Sequence, residues 1–157
     1  MEGGQPEEVI WSGQTREQWI RRRAELERWT LREKIGRAPK RTALLEGVEV
    51  DAELLDSLKL LNGAGVRTEF SCAGVSPLDE PEDHSLYAYV TLIESGPARA
   101  FVDYALRRMG RRLLVSYEPE RSRYDLSSFR LGQNRSFCCL LEACAREFAR
   151  GEDRAIR

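Results

Sequence analysis

The chain has 157 residues, with 25 Lys and Arg side chains against 26 Asp and Glu, and 41% of its residues are hydrophobic. This length suits one domain with its own core, and the near-neutral charge excludes a protein that is basic throughout. The hydrophobic content argues against a disordered chain. No run approaches the roughly 18 apolar residues of a membrane span, and residues 1–14 lack the pattern of a secretory signal. We therefore expect a cytoplasmic protein without membrane contact.

In chain order, the sequence predicts a flexible arm over residues 1–14, a long N-terminal helix over 15–41 and an α/β core domain over 42–157. Thr15 and Gln18 form a capping-box pattern, and helix-forming residues continue to about Arg37, before Pro39. The helix has two apolar stripes on opposite sides, one with Ile20, Ala24, Leu31 and Ile35 and the other with Trp19, Leu26 and Trp29. Two apolar faces need two partners. This helix is therefore either covered on both faces by its own chain or shared with a second subunit in a homodimer.

The core domain alternates helical and strand patterns. Asp51 is a good N-cap for a helix that ends near Asn62, and strands are predicted at 66–72 and 86–93. A helix over 96–110, strands at 113–117 and 124–131, and a last helix capped by Asn134 follow. We expect a single α+β domain of order α-α-β-β-α-β-β-α, with helices on one face of a four-stranded, mainly antiparallel or mixed sheet.

The most specific local motif is the small-residue turn Ser71-Cys72-Ala73-Gly74, which follows a predicted strand. Backbone N–H groups in such a turn can face a ligand, and a thiol or hydroxyl beside them can bind or attack it. Cys72 could equally be a small buried hydrophobe at the end of a strand. A thiol phosphatase is excluded, because its C-x5-R motif, counted from Cys72, requires Arg at position 78, where this chain has Leu78.

His84 is the only histidine and lies in an acidic loop after this turn. If the loop folds back, His84 could approach Cys72, and both are candidate catalytic residues. Cysteine, histidine and carboxylate side chains could also hold zinc. The chain has no C-x2-C pair, no H-E-x-x-H and no second histidine, so we assign no metal site and identify no cofactor.

A family resemblance is carried by residues 50–90, which include Leu60-Leu61-Asn62, Phe70-Ser71-Cys72 and Gly74, and then Tyr87-x-Tyr89-Val90. This region resembles a group of small bacterial proteins with a helix, a strand and an S-C-x-G turn. More distantly, it is similar to the tRNA wybutosine-synthesising methyltransferase family, in which a strand ends in Ser-Cys-x-Gly. The resemblance implies a shared site position at Ser71, Cys72 and Gly74.

Charge is distributed unevenly along the chain. Residues 15–41 have 10 basic and 4 acidic side chains. Residues 42–103 have 3 basic and 12 acidic side chains, and residues 104–157 have 12 basic and 7 acidic ones. Arginines near the turn would suit an anionic small molecule or RNA, and the candidates for ligand binding are Arg111, Arg112, Arg130 and Arg135. Alternatively, the basic segments pair with the acidic middle of the chain.

Three functions are therefore open. The first is a binding module whose pocket for an anion or a nucleic-acid end is formed by Ser71, Ala73, Gly74 and the arginines. The second is an RNA-modifying transferase-like enzyme that uses Cys72 or His84. The third is a dimeric interaction protein without catalysis.

Overall fold

The computed structural model describes residues 8–36, 40–79, 81 and 85–151. In these residues the helices are α1 (Arg16–Leu31), α2 (Leu55–Gly63), α3 (Gly96–Met109) and α4 (Asn134–Ala149). The strands are β1 (Val9–Ile10), β2 (Thr42–Leu45), β3 (Val48–Asp51), β4 (Thr68–Cys72), β5 (Tyr89–Ile93), β6 (Leu113–Glu118) and β7 (Arg123–Ser128). The protein is therefore α+β, as predicted, but three of these strands were not expected.

The main sheet has five strands in the order β1-β6-β7-β5-β4, and all neighbours are antiparallel. The predicted four-stranded sheet and the predicted element order are therefore wrong. The extra strand, β1, lies in the predicted arm and is continued by a hydrogen bond of 2.8 Å from the Trp11 N–H to the Val115 carbonyl. A strand of two residues is too short to show an alternating pattern in the sequence.

The β2–β3 hairpin forms a second, two-stranded sheet. Its turn places Glu46 and Gly47 at positive φ, the geometry of a tight hairpin turn. Asp51 ends this hairpin and does not cap α2 with its side chain, because a 3₁₀ turn at Ala52–Leu54 comes first. Its carboxylate accepts a hydrogen bond from the Ala73 N–H instead, at 2.7 Å. The Glu-Gly turn lacks the usual Asn-Gly or Asp-Gly signal, so this hairpin was missed.

Helix α1 begins with the predicted capping box between Thr15 and Gln18. It ends at Leu31, so the prediction of a long helix that continues to about Arg37 is wrong. The Lys34 ammonium donates to the Trp29 carbonyl at 2.7 Å and lies 4.0 Å from the centre of the Trp29 ring. The next residue, Ile35, donates its N–H to the Leu78 carbonyl at 2.9 Å. These contacts satisfy the end of the helix and pull the chain into an extended path along the loop after β4.

The two apolar stripes of α1 have different surroundings. Trp19 packs edge-on against Phe129 with ring centres 5.0 Å apart, and the Trp29 indole N–H donates to the Pro77 carbonyl at 2.9 Å. By contrast, Ile20 and Leu31 are 58% and 88% exposed. The tryptophan stripe is therefore partly covered by the same chain, and a homodimer through this helix stays a prediction.

The core lies between the main sheet and helices α2, α3 and α4. Alternating residues of β6 and β7 face it, including Leu113, Val115, Tyr124 and Leu126. Helix α3 is held at its start by the Ser95 hydroxyl, which accepts from the Ala98 N–H. Within the described residues, the helices are all too short or too polar to cross a membrane.

Candidate functional site

A cavity of about 230 Å³ lies where the beginning of α1 meets the end of β7, the 110–112 turn and the beginning of α4. Five arginines and one glutamate are the charged residues around it, namely Arg21, Arg22, Arg111, Arg112, Arg130 and Glu25. The other lining residues are Gln18, Met109, Ser128, Phe129, Gln133, Ser136, Phe137 and Leu140. We call this the arginine cavity.

Three of the five arginines have free guanidinium charges. Within the described part of the chain, no carboxylate pairs with Arg21, Arg111 or Arg112. All three are exposed, and Arg112 uses one N–H to donate to the Met109 carbonyl at 3.3 Å. Guanidinium groups present several donors in one plane and match carboxylate and phosphate oxygens. The rim of the cavity therefore carries positive charge that the described residues do not neutralise.

The other two arginines are fixed by the fold. Arg22 lies over the Tyr87 ring at 3.9 Å and over Phe129 at 4.9 Å, and it donates to the Phe129 carbonyl. Burial lowers the pKa of Arg22, although an arginine remains charged at neutral pH. Arg130 donates to Glu25 at 2.9 Å. These contacts fix the positions of the two guanidinium groups, and Arg22 holds α1 against the end of β7.

The start of α4 adds to the positive character of the arginine cavity. Gln133, the N-cap residue, makes no side-chain cap hydrogen bond, and the first turn contains no acidic residue. Helix N-termini present unpaired N–H groups and a partial positive charge, which favour anions. Ser136 in this turn lines the cavity, whereas Phe137 and Phe129 are buried and form an apolar floor. A ligand that combines an anionic group with an apolar body would match both the positive start of α4 and the apolar floor.

The Ser71-Cys72-Ala73-Gly74 turn is held rigidly at the end of β4. Gly74 has φ +81° and packs so closely against Asn134 and the Ala88 N–H that a side chain would not fit. The Asn134 amide donates to the Val75 and Leu86 carbonyls at 3.1 and 3.0 Å, and it accepts from the Ala88 N–H at 2.8 Å. Asn134 is thus the first residue of α4 and a brace for the turn, not the predicted cap.

Cys72 is buried but has polar neighbours. Its sulfur accepts from the Lys40 ammonium at 3.3 Å and from the N–H groups of Gly74 and Ser85 at 3.4 Å each. Lys40 is also paired with Asp51 at 2.6 Å, and both side chains are mostly buried. Cys72 is thus buried at the end of a strand, as one of the two interpretations predicts, and polar groups surround its sulfur.

A second cavity, of about 650 Å³, borders this turn. We call it the turn cavity. Ala73, Gly74 and Arg135 line it, but its charges are mixed, because Lys40, Arg41 and Arg135 face Asp51, Glu53, Asp79 and Glu142. Cys138 and Cys139 also line it. A cavity with both signs of charge is less suited to a simple anion than the arginine cavity.

The predicted ligand-binding residues are thus divided between two places. Arg111, Arg112 and Arg130 line the arginine cavity, whereas Ala73, Gly74 and Arg135 line the turn cavity. Ser71 is half-buried in β4 and lines neither of them, and His84 lies outside the described residues. Of the four candidate arginines, Arg135 therefore shares a cavity with the turn, and the other three line a separate cavity.

Sequence reasoning missed Lys40, Asp51 and Asn134 as neighbours of the turn. Asp51 and Asn134 have patterns typical of helix caps, and a lone lysine after a proline gives no local signal. The run Arg21-Arg22-Arg23 was visible as a basic cluster, but its position beside Arg111 depends on how α1 packs. Only contacts between residues far apart in the sequence bring these groups together.

The described residues include one group of three acidic side chains, Glu8, Glu118 and Asp125, whose oxygens lie within 4.8 Å of one another. Burial and the neighbouring Asp125 raise the pKa of Glu118. Such groups occur commonly without an ion, and this one is remote from both cavities. It does not by itself indicate a metal site.

Comparisons with protein-family models, with curated proteins and with solved structures found no significant match to this chain. The methyltransferase resemblance of residues 50–90 therefore stays a prediction.

Proposed function

We propose that this protein is a binding module for a small amphipathic anion, which it holds in the arginine cavity. The observation that carries the proposal is the set of three guanidinium groups that no described carboxylate pairs with, which lie around an apolar floor next to the N-terminus of α4. A carboxylate or phosphate would contact Arg21, Arg111 and Arg112, and an aromatic or aliphatic body would rest on Phe129 and Phe137.

The size of the cavity favours a small ligand. Pockets for drug-sized molecules have volumes of about 300–1,000 Å³, and the arginine cavity has about 230 Å³. A polyanion such as RNA would place only one terminal group in it. The same chemistry could therefore bind the 5′-phosphate of an RNA, which is the second source of ligand that we propose to test.

Isothermal titration calorimetry with phenyl phosphate, inorganic phosphate and phenol tests the proposal. Phenyl phosphate should bind best, because it combines an anion with an apolar ring, and phenol should bind worst. A single-stranded RNA with a 5′-phosphate, compared with the same RNA with a 5′-hydroxyl, tests the macromolecular source. If phenol binds as well as phenyl phosphate, the arginines do not select the ligand and the proposal is wrong.

A pair of double variants provides the control. Arg111→Gln with Arg112→Gln should weaken binding of phenyl phosphate at least about tenfold, since a hydrogen bond to a charged group contributes about 1.5–3 kcal/mol. Arg67→Gln with Arg121→Gln removes the same charge from exposed positions outside the cavity. This control should retain wild-type affinity, and equal losses in both variants would indicate a non-specific effect of net charge.

A further inference from the structure

The shell of donors around Cys72 is independent of the arginine cavity. Three donors converge on its sulfur, two of them backbone N–H groups held by the rigid turn and the third the Lys40 ammonium at 3.3 Å. Hydrogen-bond donors and a nearby cation are the surroundings that stabilise an anionic sulfur, and the thiolate is the form that reacts with oxidants.

The nitrogen of Lys40 is fixed in place beside this sulfur. One carboxylate oxygen of Asp51 contacts the Lys40 ammonium at 2.6 Å and accepts from the Ala73 N–H at 2.7 Å. Asp51 therefore connects Lys40 to the residue that follows Cys72 and holds the lysine nitrogen beside the sulfur.

The other three cysteines have different surroundings. Burial raises the pKa of Cys138 to about 12 and that of Cys144 to about 11, so both remain thiols at neutral pH. Cys139 is exposed, and among the described residues no donor contacts its sulfur. Lys40 and the residues after Cys72 line the turn cavity, which is wide enough to admit a molecule as small as hydrogen peroxide.

We propose that Cys72 and Lys40 form an oxidative modification site, at which a hydroperoxide causes a reversible sulfur–nitrogen bond to form between them. First, the Cys72 thiolate attacks the peroxide, the O–O bond breaks, and the sulfur becomes a sulfenic acid, while the leaving hydroxide or alkoxide takes a proton from the Lys40 ammonium and departs as water or an alcohol. Then the neutral Lys40 amine attacks the sulfur, and the sulfenic hydroxyl leaves as water with the amine proton. The protein loses two hydrogen atoms in total.

Peptide mapping by mass spectrometry tests this site on the full chain. The reduced protein is treated with hydrogen peroxide and digested without reductant. We expect the peptide that contains Lys40 to be joined to the peptide that contains Cys72, with a combined mass lower by two hydrogens. Dithiothreitol should separate the two peptides, because thiols reduce a sulfenamide.

Two variants make the result specific. Lys40→Arg keeps the positive charge beside Asp51 but removes the amine, so the link should disappear and Cys72 should collect as sulfenic or sulfinic acid. Lys59→Arg, at an exposed position of α2 that lines neither cavity, should keep the link. The proposal is overturned if Cys72 stays reduced while Cys139 is oxidised, if Cys72 pairs with another cysteine, or if Lys40→Arg still loses two hydrogens at Cys72.

Discussion

Glu25 of α1 forms an ion pair of 2.9 Å with Arg130, which follows β7, and among the described residues it is the one acidic side chain that lines the arginine cavity. Its carboxylate is mostly buried, with 12% of the side chain exposed, and its second oxygen has no hydrogen-bond partner in the part of the chain that the structure describes. Glu25 therefore occupies the position of an anion inside the protein and competes with any ligand for the charge of Arg130.

Replacing Glu25 tests this competition. Glu25→Gln should bind phenyl phosphate more tightly, because it removes a negative charge from the cavity and leaves Arg130 unpaired. The expected gain is about 1 kcal/mol, or roughly fivefold in Kd. Glu27→Gln, at an exposed position outside the cavity on the same helix, is the control and should bind like the wild type. Weaker binding by Glu25→Gln would mean that the ion pair shapes the site and does not block it.

The role of Arg22 in holding α1 against the sheet can be measured as stability. Arg22→Ala removes the stacking on Tyr87 and the charged hydrogen bond to the Phe129 carbonyl. We expect a loss of about 2–3 kcal/mol in the free energy of unfolding. Arg23→Ala changes the next residue, which is exposed, and should cost less than about 0.5 kcal/mol. Urea unfolding followed by tryptophan fluorescence compares them, and similar losses for the two variants would contradict this role.

Gly74 and Gly47 provide a matched test of the rigid turn. Both have positive φ, +81° and +82°, but a Cβ on Gly47 meets nothing within 4 Å, whereas one on Gly74 would lie 2.9 Å from the Ala88 nitrogen and overlap the Asn134 amide. Gly47→Ala should cost about 1 kcal/mol from backbone strain alone. Gly74→Ala should cost at least about 2 kcal/mol more, because the turn must also move. Thermal unfolding measures the difference, and equal costs would show that the turn adapts.

Glu147 should make the stability depend on pH. It joins α4 to α3 by accepting from the Arg108 guanidinium at 3.0 Å and from the Tyr104 hydroxyl. These hydrogen bonds lower the pKa of Glu147, while burial and then the bond to Glu147 raise the pKa of Tyr104 to about 12. Because the carboxylate is favoured in the folded state, its contribution to stability is complete above the unfolded-state pKa of about 4.3.

The contribution of Glu147 to stability should begin to fall once the pH drops below the unfolded-state pKa of this carboxyl. It should be lost as the pH passes through the lower pKa that Glu147 has in the folded state. The difference in stability between the wild type and Glu147→Gln should therefore shrink between neutral pH and acid. Urea unfolding at several pH values measures it, with Glu120→Gln, at an exposed position between β6 and β7, as the control. A difference that stays constant over this range would exclude Glu147 as a source of acid sensitivity.

Local patterns predicted most of the regular structure. The capping box of α1, the start of α3 at Gly96-Pro97 and the alternating strands β6 and β7 are encoded by residues close together in the sequence, since helix caps and side-chain periodicity depend on a few neighbours. The arginines at positions 111, 112 and 130 were also identified as candidates from charge alone.

The failures have one physical cause, which is contact between distant residues. Strand β1 exists because Val9 and Ile10 pair with β6, more than a hundred residues later in the chain, and α1 ends early because the following residues pair with the loop after β4. A short extended segment or an additional helical turn is only marginally stable on its own. Tertiary hydrogen bonds therefore decide which conformation such a segment adopts.

The sequence by itself determined which side chains could do chemistry: a thiol beside a glycine turn, and an excess of arginine in two segments that flank an acidic one. Only the tertiary structure decided how these groups are shared between sites. It placed Arg21 and Arg22 of the first basic segment beside the 111–112 pair of the second, and it left the thiol with Lys40 and Asp51. Charge can be counted along a chain, but the field at a cavity depends on which charges the fold brings within a few ångströms of one another.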